Sequence, residues 1–481
     1  MKTCFIYPTI TRCGFNSFGN PYFGMESCYV HHGLCSLSAS IKQAGFFAEL
    51  IDLRKMRNWG HFRKELKSRN PDVFAATVWG VDYNIALKSL RIAKELNPRV
   101  IVVVGGVYPT VVPEALVGQK DIDYIVRGEG ELALVKLLRN LEAGKSVERV
   151  IEGERPDLDE LPFIDRELFD YKAELNSPCL GEYSGLEPPF VTILTSRGCK
   201  YNCSFCQPTQ RMIFGRQVRQ RSVENVMAEL KQLRDKYHFK SFMIYDDTFI
   251  QDVDWVREFC HQYRANGFTQ PFWAETRADI VCKQEKIIAE LSRTGLSALA
   301  IGFESGNDRV LKLLKKGVTV EQNYRAAEIC QKYGIRFQGG FMFGIPGETN
   351  AEMMDTVRMI KRIKPKFFHT AVYTPYRGAA LTEHCRQGNL ILIDDYAKYN
   401  PARPISIIKG VDYPFAAHAI EEALGFSWAE KILYRLQKVG FIEQILKRLV
   451  KRQPFKGLIL WLRGALEARV ISQVGRKRGL I

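Results

Sequence analysis

The sequence is organised around one loop, Thr195-Ser-Arg-Gly-Cys-Lys-Tyr-Asn-Cys-Ser-Phe-Cys-Gln-Pro208, whose three cysteines follow the spacing C-x3-C-x2-C. Three thiolates leave a structural zinc site one ligand short, because such a site takes four. They can hold three irons of a 4Fe–4S cluster and leave the fourth iron open to another ligand. The predicted metal ligands are therefore Cys199, Cys203 and Cys206. A chance cluster or a two-plus-two zinc knuckle is the alternative, although the sequence offers no second Cys or His pair nearby.

The bulk composition predicts a globular chain of two or three domains. The chain has 481 residues, of which 46% are hydrophobic and 25% are charged, as in proteins that bury large cores. No run of eighteen apolar residues occurs, so no membrane-spanning helix is expected. The N-terminus has the pattern of a strand rather than of a secretory leader, and the twelve cysteines show no pairwise regularity. We therefore expect reduced thiols and a cytoplasmic location.

The positive charge is concentrated near the C-terminus. The net charge is +16, and residues 431–481 hold thirteen Lys or Arg against two acids. Residues 381–481 are predicted to form a basic, mostly helical region, with amphipathic helices between positions 428 and 474. Such helices favour peripheral contact with a membrane surface, the alternative being core helices with a solvated basic face. Nucleic acid is not expected as a partner, because no base-reading module accompanies the charge.

Residues 1–145 alternate buried β-branched strands with helices, which predicts a doubly wound, Rossmann-like parallel sheet. Ligands of such sheets bind at the carboxyl ends of the strands. Seven residues at these ends are candidate binding residues: Trp79, Gly105, Gly106, Tyr108, Gly128, Glu129 and Gly130. The adjacent His31 and His32 open a predicted helix and are interpreted as capping or solvated residues.

The next two segments are a linker and a second α/β domain. Residues 146–188 are rich in acids and proline, which is typical of a connection between domains. Residues 189–380 contain six strand–helix repeats, which predict a partial (β/α)6 barrel. Every strand of this domain runs into a polar or glycine-rich phrase, and active residues of such barrels lie at those ends.

The cluster loop, including the aromatic Phe205, resembles that of the radical S-adenosylmethionine (SAM) superfamily. The phrases Val103–Thr110 and Ile125–Glu131 resemble the cobalamin-binding domain of its cobalamin-dependent members. Phe303–Gly306 resembles that family's ribose-contacting strand, and Phe341–Thr349 its fifth-strand phrase. The resemblance covers roughly residues 1–380 and implies three cofactors: a 4Fe–4S cluster, SAM and cobalamin.

The resemblance also implies which residues contact SAM. Asp246 and Asp247 would accept from its amine, and Arg277 would pair with its carboxylate. Glu304 and Ser305 would meet the ribose hydroxyls. The adenine would lie against Gly344, Pro346 and Gly347, with Phe205 covering its face.

Three features depart from the family pattern. The chain has no Asp-x-His-x-x-Gly motif, so no histidine is evident as a cobalt ligand. Tyr108 stands where many relatives carry histidine. Arg377 and Ala379 follow the last barrel strand where Pro-Gly-Thr is common, so this loop is expected to face substrate.

The resemblance implies an enzyme that reductively cleaves SAM and methylates an unactivated carbon. The substrate would be a small or lipid-like molecule, and a flavodoxin or ferredoxin would donate electrons. One alternative keeps the cofactors but performs an oxidation, cyclisation or rearrangement. A methylthiotransferase is disfavoured, because the N-terminal half lacks cysteines arranged for a second cluster. A non-catalytic iron–sulfur electron-transfer or binding protein would be of another class.

Overall fold

The computed structural model describes residues 1–8, 30–169, 171–175, 186–206, 209–215, 217–394 and 406–425. These residues form two parallel sheets of six strands each, with helices packed against them. The two sheets share one cluster of buried apolar side chains, which extends from Phe5 in the first sheet to Phe343 in the second. The predicted α/β class with two sheet-based domains is confirmed.

The first sheet has the strand order β2-β1-β3-β4-β5-β6, and all its pairings are parallel. Its strands are β1 (Lys2–Tyr7), β2 (Phe47–Asp52), β3 (Val73–Thr77), β4 (Ile101–Gly105), β5 (Tyr124–Arg127) and β6 (Val150–Glu152). Its helices are α1 (His32–Gln43), α2 (Trp59–Arg69), α3 (Tyr83–Leu96), α4 (Val107–Val111), α5 (Glu114–Val117) and α6 (Glu131–Glu142). From β1 the chain first adds β2 on one side and then adds β3 and the later strands on the other side. This change of side places a ligand crevice between the ends of β1 and β3.

Helices cover both faces of this sheet, as a doubly wound fold requires. Side chains of β1 alternate: Phe5 joins the cluster that contains α1 and α6, whereas Cys4 and Ile6 join the cluster that contains α2 and α3. All five residues of β3 are buried, so its continuous apolar run reflects burial on both faces.

The first sheet extends further along the chain than the sequence suggested. Val150–Glu152 pairs with β5 as a sixth strand, inside the segment predicted as a linker. Three residues are too few to show a periodic pattern, so this strand left no clear sequence signal. The rest of that segment contains one 3-10 turn (Arg166–Leu168) and the helix α7 (Tyr171–Leu175) among the described residues.

The second sheet is the predicted partial barrel, with the strand order β14-β13-β12-β11-β10-β7, all parallel. Its strands are β7 (Phe190–Ile193), β10 (Ser241–Ile244), β11 (Phe272–Thr276), β12 (Leu296–Glu304), β13 (Arg336–Phe343) and β14 (Phe367–Val372). An additional two-stranded antiparallel hairpin, β8 (Ser196–Arg197) and β9 (Arg219–Gln220), lies beside the cluster loop.

Ten helices among the described residues accompany the barrel and the chain beyond it. They are α8 (Thr209–Phe214), α9 (Val223–Tyr237), α10 (Val253–Ala265), α11 (Ala278–Lys283), α12 (Glu285–Thr294), α13 (Asp308–Leu313), α14 (Val320–Lys332), α15 (Asn350–Ile363), α16 (Ala380–Gln387) and α17 (Tyr413–Leu424). Capping boxes start α14 and α15, where a Thr side chain and the third helical residue satisfy each other's backbone N–H groups.

The predicted amphipathic helices between positions 428 and 474 lie outside the described residues, so the basic helical region remains a prediction. Within the described ranges, no helix combines the length and apolar character that crossing a membrane requires.

Candidate functional site

A cavity of about 610 Å³ lies between the two domains. The first domain contributes the ends of β3, β4 and β5, including Thr77, Gly105 and Gly128. The barrel contributes residues that follow β7 and β10, including Asp247, and Glu275 near the end of β11. The carboxyl ends of the two parallel sheets therefore open into one space.

Six of the seven candidate residues of the first domain line this cavity: Trp79, Gly105, Gly106, Gly128, Glu129 and Gly130. The seventh, Tyr108, packs its ring 4.8 Å from the ring centroid of Tyr83. The backbone N–H of Tyr108 donates to the Val78 carbonyl at 2.9 Å, which fixes the turn after β4. The assignment of the seven candidate residues as cobalamin contacts remains a prediction.

The first-domain wall of the cavity has the features that a broad planar macrocycle requires. Trp79 keeps 37% of its surface exposed, so a large apolar face is free at a strand end. Gly106 has φ of +98° and Gly128 has φ of +77°, conformations that favour glycine. A Cβ atom at Gly106 would lie 2.7 Å from Thr77 Oγ1. The residues present thus fit a corrin.

The paired histidines border the cavity, and each has a defined partner. His31 caps α1, because its Nδ1 accepts from the Leu34 N–H at 3.0 Å. Burial lowers the pKa of His31 to about 4, so the ring is neutral and its proton sits on Nε2. His32 lies 2.8 Å from Thr192 Oγ1 of the barrel, and burial lowers its pKa to about 3. The capping interpretation is confirmed for His31; neither ring is simply solvated.

The cluster loop presents three free thiols from a backbone anchored on the far side of the barrel. The Ser204 N–H donates to the Leu314 carbonyl at 2.8 Å, and the Leu381 N–H donates to the Ser204 carbonyl at 2.8 Å. Burial, followed by the fields of Cys203, Asp247 and Cys199, raises the pKa of the Cys206 thiol to about 12. No three His, Cys, Asp or Glu side chains among the described residues are placed to hold one metal ion. The loop offers a three-thiol donor set that suits the three irons of a cluster.

Arg277 is held against the cluster loop. Its Nε donates to Asp279 Oδ1 at 2.9 Å, and its Nη2 donates to the Lys316 carbonyl. Its Nη1 lies 3.5 Å from Cys203 Sγ, and the guanidinium carbon lies 3.6 Å from the Tyr201 ring centroid. All three nitrogens thus have protein partners. Its predicted pairing with the SAM carboxylate would use the second N–H of Nη1 or Nη2, because a guanidinium has five N–H donors.

The two aspartates after β10 have different surroundings. Asp246 is buried, and its carboxylate accepts from the Thr195 N–H at 2.7 Å, from the Thr195 hydroxyl and from Ser196 Oγ at 2.7 Å. Asp247 is exposed and lines the cavity. Asp246 therefore secures the strand that enters the cluster loop, and Asp247 is the one of the two that borders the cavity.

Glu304 ends β12 with φ of +61°, in the left-handed region. Its Oε1 accepts from Lys316 Nζ at 2.9 Å, and Lys316 Nζ lies 5.7 Å from the Phe205 ring centroid. Ser305 is fully buried, with its Oγ 3.2 Å from Thr356 Oγ1. The ribose assignment thus suits the geometry of Glu304 better than that of Ser305.

The phrase after β13 forms a turn with two left-handed glycines, Gly344 (φ +65°) and Gly347 (φ +80°). A Cβ atom at Gly344 would lie 3.1 Å from Val411 Cγ1, so close packing of the chain favours glycine there. Glu348 folds back, and its Oε2 accepts from the Ile345 N–H at 3.1 Å. The contact of Gly344, Pro346 and Gly347 with adenine remains a prediction.

Glu348 is expected to make stability depend on pH. Burial raises the pKa of its carboxyl from 4.5 to about 8, so the folded state keeps a proton that the unfolded state releases above pH 4.5. The free energy of unfolding should therefore fall by up to about 1.4 kcal/mol per pH unit as pH rises from about 4.5 to about 8. Glu348→Gln should remove that slope.

The measurement is the difference in apparent melting temperature between the cluster-free variant and wild type across pH 5–8. The partly buried Glu285, whose pKa is lowered chiefly by its bond to Lys332, provides the control variant Glu285→Gln. Parallel pH profiles for Glu348→Gln and wild type would contradict the assignment.

Sequence reasoning missed three charged residues of this region. Glu275 at the end of β11 lines the cavity, and burial followed by the charges of Asp247 and Asp246 raises its pKa to about 7. Lys316 pairs with Glu304, and Arg197 precedes the cluster cysteines. Glu275 could have been found, because it directly follows the strand predicted over 271–274 and lies two residues after Trp273, which places both on one face of an extended chain. Lys316 and Arg197 carry no such signal, since their partners are set by tertiary contacts.

Comparison with known families matches both domains. Residues 193–360 match the family model described as the radical SAM superfamily, and residues 25–138 match the B12 binding domain. The first range contains the three cysteines and the strand ends from β10 to β13. The second contains Trp79 and the glycines of the first domain.

Curated relatives span most of the chain. An uncharacterized methyltransferase of Pyrococcus horikoshii is 28% identical over 393 residues, which cover 78% of this chain and 83% of the relative. The anaerobic magnesium-protoporphyrin IX monomethyl ester cyclase of Rubrivivax gelatinosus is 25% identical, with 84% and 73% covered.

Among solved structures, the fold is similar to that of the cobalamin-dependent S-adenosylmethionine radical enzyme OxsB with aqua-cobalamin and S-adenosylmethionine bound. The TM-score is 0.65 at 18% identity, with 97% of this chain and 75% of that chain covered. At this identity the likeness establishes the shared fold.

Proposed function

We propose that this chain methylates an unactivated carbon in a small or lipid-like substrate. Its two matched domains place it among the cobalamin-binding radical SAM proteins. The chain is a radical SAM enzyme, and its cofactors are a 4Fe–4S cluster, SAM and cobalamin. When bound, the cluster supplies the electron that cleaves SAM, and cobalamin carries the methyl group.

The observation that carries the proposal is that residues of both domains line one shared cavity between the two sheets. Residues assigned to cobalamin, such as Trp79 and Gly106, line the same space as Asp247 near the cluster loop. Chemistry that combines two cofactors on one substrate carbon requires both to reach a common site, since reacting atoms must approach closely.

In this proposal the cluster would be held by Cys199, Cys203 and Cys206. Asp247 would accept from the SAM amine, and Glu304 would meet the ribose. In this proposal Asp246 and Ser305 have supporting roles, because both are buried and hold Thr195 and Thr356. Arg277 would pair with the SAM carboxylate through an N–H that its contact with Cys203 does not use.

A cyclisation that uses the same cofactors is the second candidate, because the Rubrivivax gelatinosus relative is named a cyclase. The two candidates differ in their products. Methylation forms S-adenosylhomocysteine from the SAM that gives up its methyl group, and 5′-deoxyadenosine from the SAM that is cleaved. A cyclase without methyl transfer forms 5′-deoxyadenosine alone.

The test is anaerobic reconstitution with iron, sulfide and cobalamin, followed by reduction and product analysis with methyl-labelled SAM. The methylase proposal predicts that both nucleoside products appear. Formation of 5′-deoxyadenosine without S-adenosylhomocysteine would reject methylation and favour cyclisation. Absence of SAM cleavage in cluster-loaded, reduced protein would leave only a binding or electron-transfer role.

Asp247→Asn is expected to raise the SAM dissociation constant by about 10-fold or more, because a charge-assisted hydrogen bond contributes roughly 1.5–3 kcal/mol. The melting temperature should stay near that of wild type, since Asp247 is exposed. Isothermal titration of the cluster-loaded protein with SAM measures the change.

Asp246→Asn is the matched control. It should lower the melting temperature instead, because the buried Asp246 carboxylate accepts three hydrogen bonds from Thr195 and Ser196. Equal SAM affinity in Asp247→Asn and wild type would contradict the amine contact.

The remaining parts of the proposal concern partners and location. A cytoplasmic flavodoxin or ferredoxin would supply electrons. The basic residues 431–481 would contact anionic lipid headgroups, which would bring the active site to an apolar substrate. Flotation with liposomes, with and without anionic lipid, tests this contact.

A further inference from the structure

A buried ion-pair network joins the first domain to the cluster loop. Arg197 lies two residues before Cys199, and its Nη1 pairs with Glu129 Oε2 at 2.5 Å. Its Nη2 pairs with Glu131 Oε1 at 2.6 Å. The two glutamates follow β5 in the first domain, so one guanidinium connects the two cofactor-binding domains.

Neighbouring groups reinforce this network. Arg219 lies opposite Arg197 in the β8–β9 hairpin, and its Nη2 also binds Glu129. Ser36 Oγ of α1 donates to Glu131 Oε1 at 2.7 Å. Glu129 and Glu131 are only 3% and 4% exposed, so each carboxylate depends on these partners for compensation of its charge.

The network continues on both sides into residues proposed to hold cofactors. Toward the first domain, the Gly128 N–H donates to Thr110 Oγ1 at 3.0 Å, and the Thr110 hydroxyl donates to the Gly106 carbonyl at 2.7 Å. Toward the barrel, Arg197 is followed directly by Gly198 and Cys199. An unbroken series of covalent bonds and hydrogen bonds thus runs from Gly106 to the first cluster cysteine.

Glu129 is one of four residues of this network that line the cavity, the others being Ser36, Glu131 and Arg197. It was predicted from sequence to contact cobalamin, yet both its oxygens are engaged by arginines of the barrel domain. Its position at the cavity wall places the network between the proposed cobalamin site and the cluster loop.

We propose that the five residues of this network, Ser36, Glu129, Glu131, Arg197 and Arg219, form a bridge between the domains. This bridge couples cobalamin binding to the ordering of the cluster loop. The inference rests on the proposed function, because it requires both cofactors. Each cofactor orders the loop that it contacts, and the bridge transmits that order to the other loop. The second cofactor then binds with a smaller loss of conformational entropy.

The expected result is a cobalamin dissociation constant that is about five-fold or more lower in cluster-loaded protein than in cluster-free protein. Because such coupling is reciprocal, cobalamin should also slow the removal of iron by a chelator. Both are measured with full-length protein, by equilibrium dialysis of hydroxocobalamin and by the absorbance of a ferrous chelator complex.

Arg197→Lys is the main variant, since one ammonium cannot hold two carboxylates with the forked geometry of arginine. In this variant, the ratio of the cobalamin dissociation constant in cluster-free protein to that in cluster-loaded protein should fall to near one. Glu129→Gln is the second variant, which keeps the side-chain shape should Arg197→Lys fold poorly. Arg54→Lys is the matched control, because Arg54 is also a buried arginine but pairs with Asp52 inside the first domain. It should keep the wild-type ratio.

The ratio separates coupling from mere structural support, which would weaken cobalamin binding equally with and without the cluster. A wild-type ratio of one, or a wild-type ratio preserved in both Arg197→Lys and Glu129→Gln, would overturn the inference. Failure of wild type to bind cobalamin at all would instead overturn the proposed function, and the coupling with it.

Discussion

Replacing Cys203 by serine should abolish SAM cleavage, with 5′-deoxyadenosine formation falling by more than about 10³-fold, a loss of roughly 4 kcal/mol in transition-state stabilisation or more. A hydroxyl is a poor ligand for iron–sulfur clusters, which thiolates hold. The variant also replaces the sulfur acceptor of the Arg277 N–H, which lies 3.5 Å from Cys203 Sγ, by a hydroxyl oxygen. Iron and sulfide analysis after anaerobic reconstitution measures the loss of the cluster, and quantification of 5′-deoxyadenosine measures the loss of SAM cleavage.

Cys282→Ser is the control for this experiment. Cys282 is a half-buried free thiol whose Sγ lies 3.3 Å from the Gln322 carbonyl, and a serine hydroxyl can keep that contact. Its iron content and product formation should match those of wild type. Full iron content and full SAM cleavage in Cys203→Ser would show that the cluster is held elsewhere.

Gly106→Val should weaken cobalamin binding by about 10-fold or more, which corresponds to at least ~1.4 kcal/mol. The added Cβ would lie 2.7 Å from Thr77 Oγ1, so either Thr77 or the turn after β4 must shift, and both line the cavity. The left-handed φ of +98° adds strain for valine. Equilibrium dialysis with hydroxocobalamin gives the dissociation constant.

Gly45→Val controls for the backbone strain. Gly45 has a similar φ of +89°, and a Cβ atom added to it would meet no other atom within 4 Å. Both variants carry similar backbone strain, but only Gly106→Val adds a close contact with Thr77, so only Gly106→Val should lose cobalamin affinity. Equal cobalamin affinity in the two variants would remove Gly106 from the proposed cofactor wall.

The sequence was sufficient to predict the fold and the strand ends, because both follow from local patterns. Buried β-branched runs such as Val102–Val104 mark parallel strands, and the chain direction then places every strand end at one edge. The three cysteines needed only their spacing. The three-residue strand Val150–Glu152 was missed because its pairing with β5 depends on tertiary contacts rather than on periodicity.

The sequence could not assign partners to individual charges. Asp246 and Asp247 are adjacent and chemically alike, but only the folded chain shows that Thr195 and Ser196 occupy the first. Glu129 and Arg197 are 68 residues apart, and no periodicity links them. Which strand-end residues face a ligand and which hold their neighbours is decided by long-range packing, which local patterns do not encode.

The left-handed conformation of Glu304 has a consequence for protein engineering. A non-glycine residue at φ of +61° costs on the order of 1 kcal/mol, a strain that glycine at this position would avoid. That change would relax the backbone and also remove the carboxylate that holds Lys316 and is proposed to hold the ribose. Because Lys316 is buried, loss of its ion-pair partner would cost more free energy than the relief of strain gains, so stability and turnover both favour glutamate at position 304.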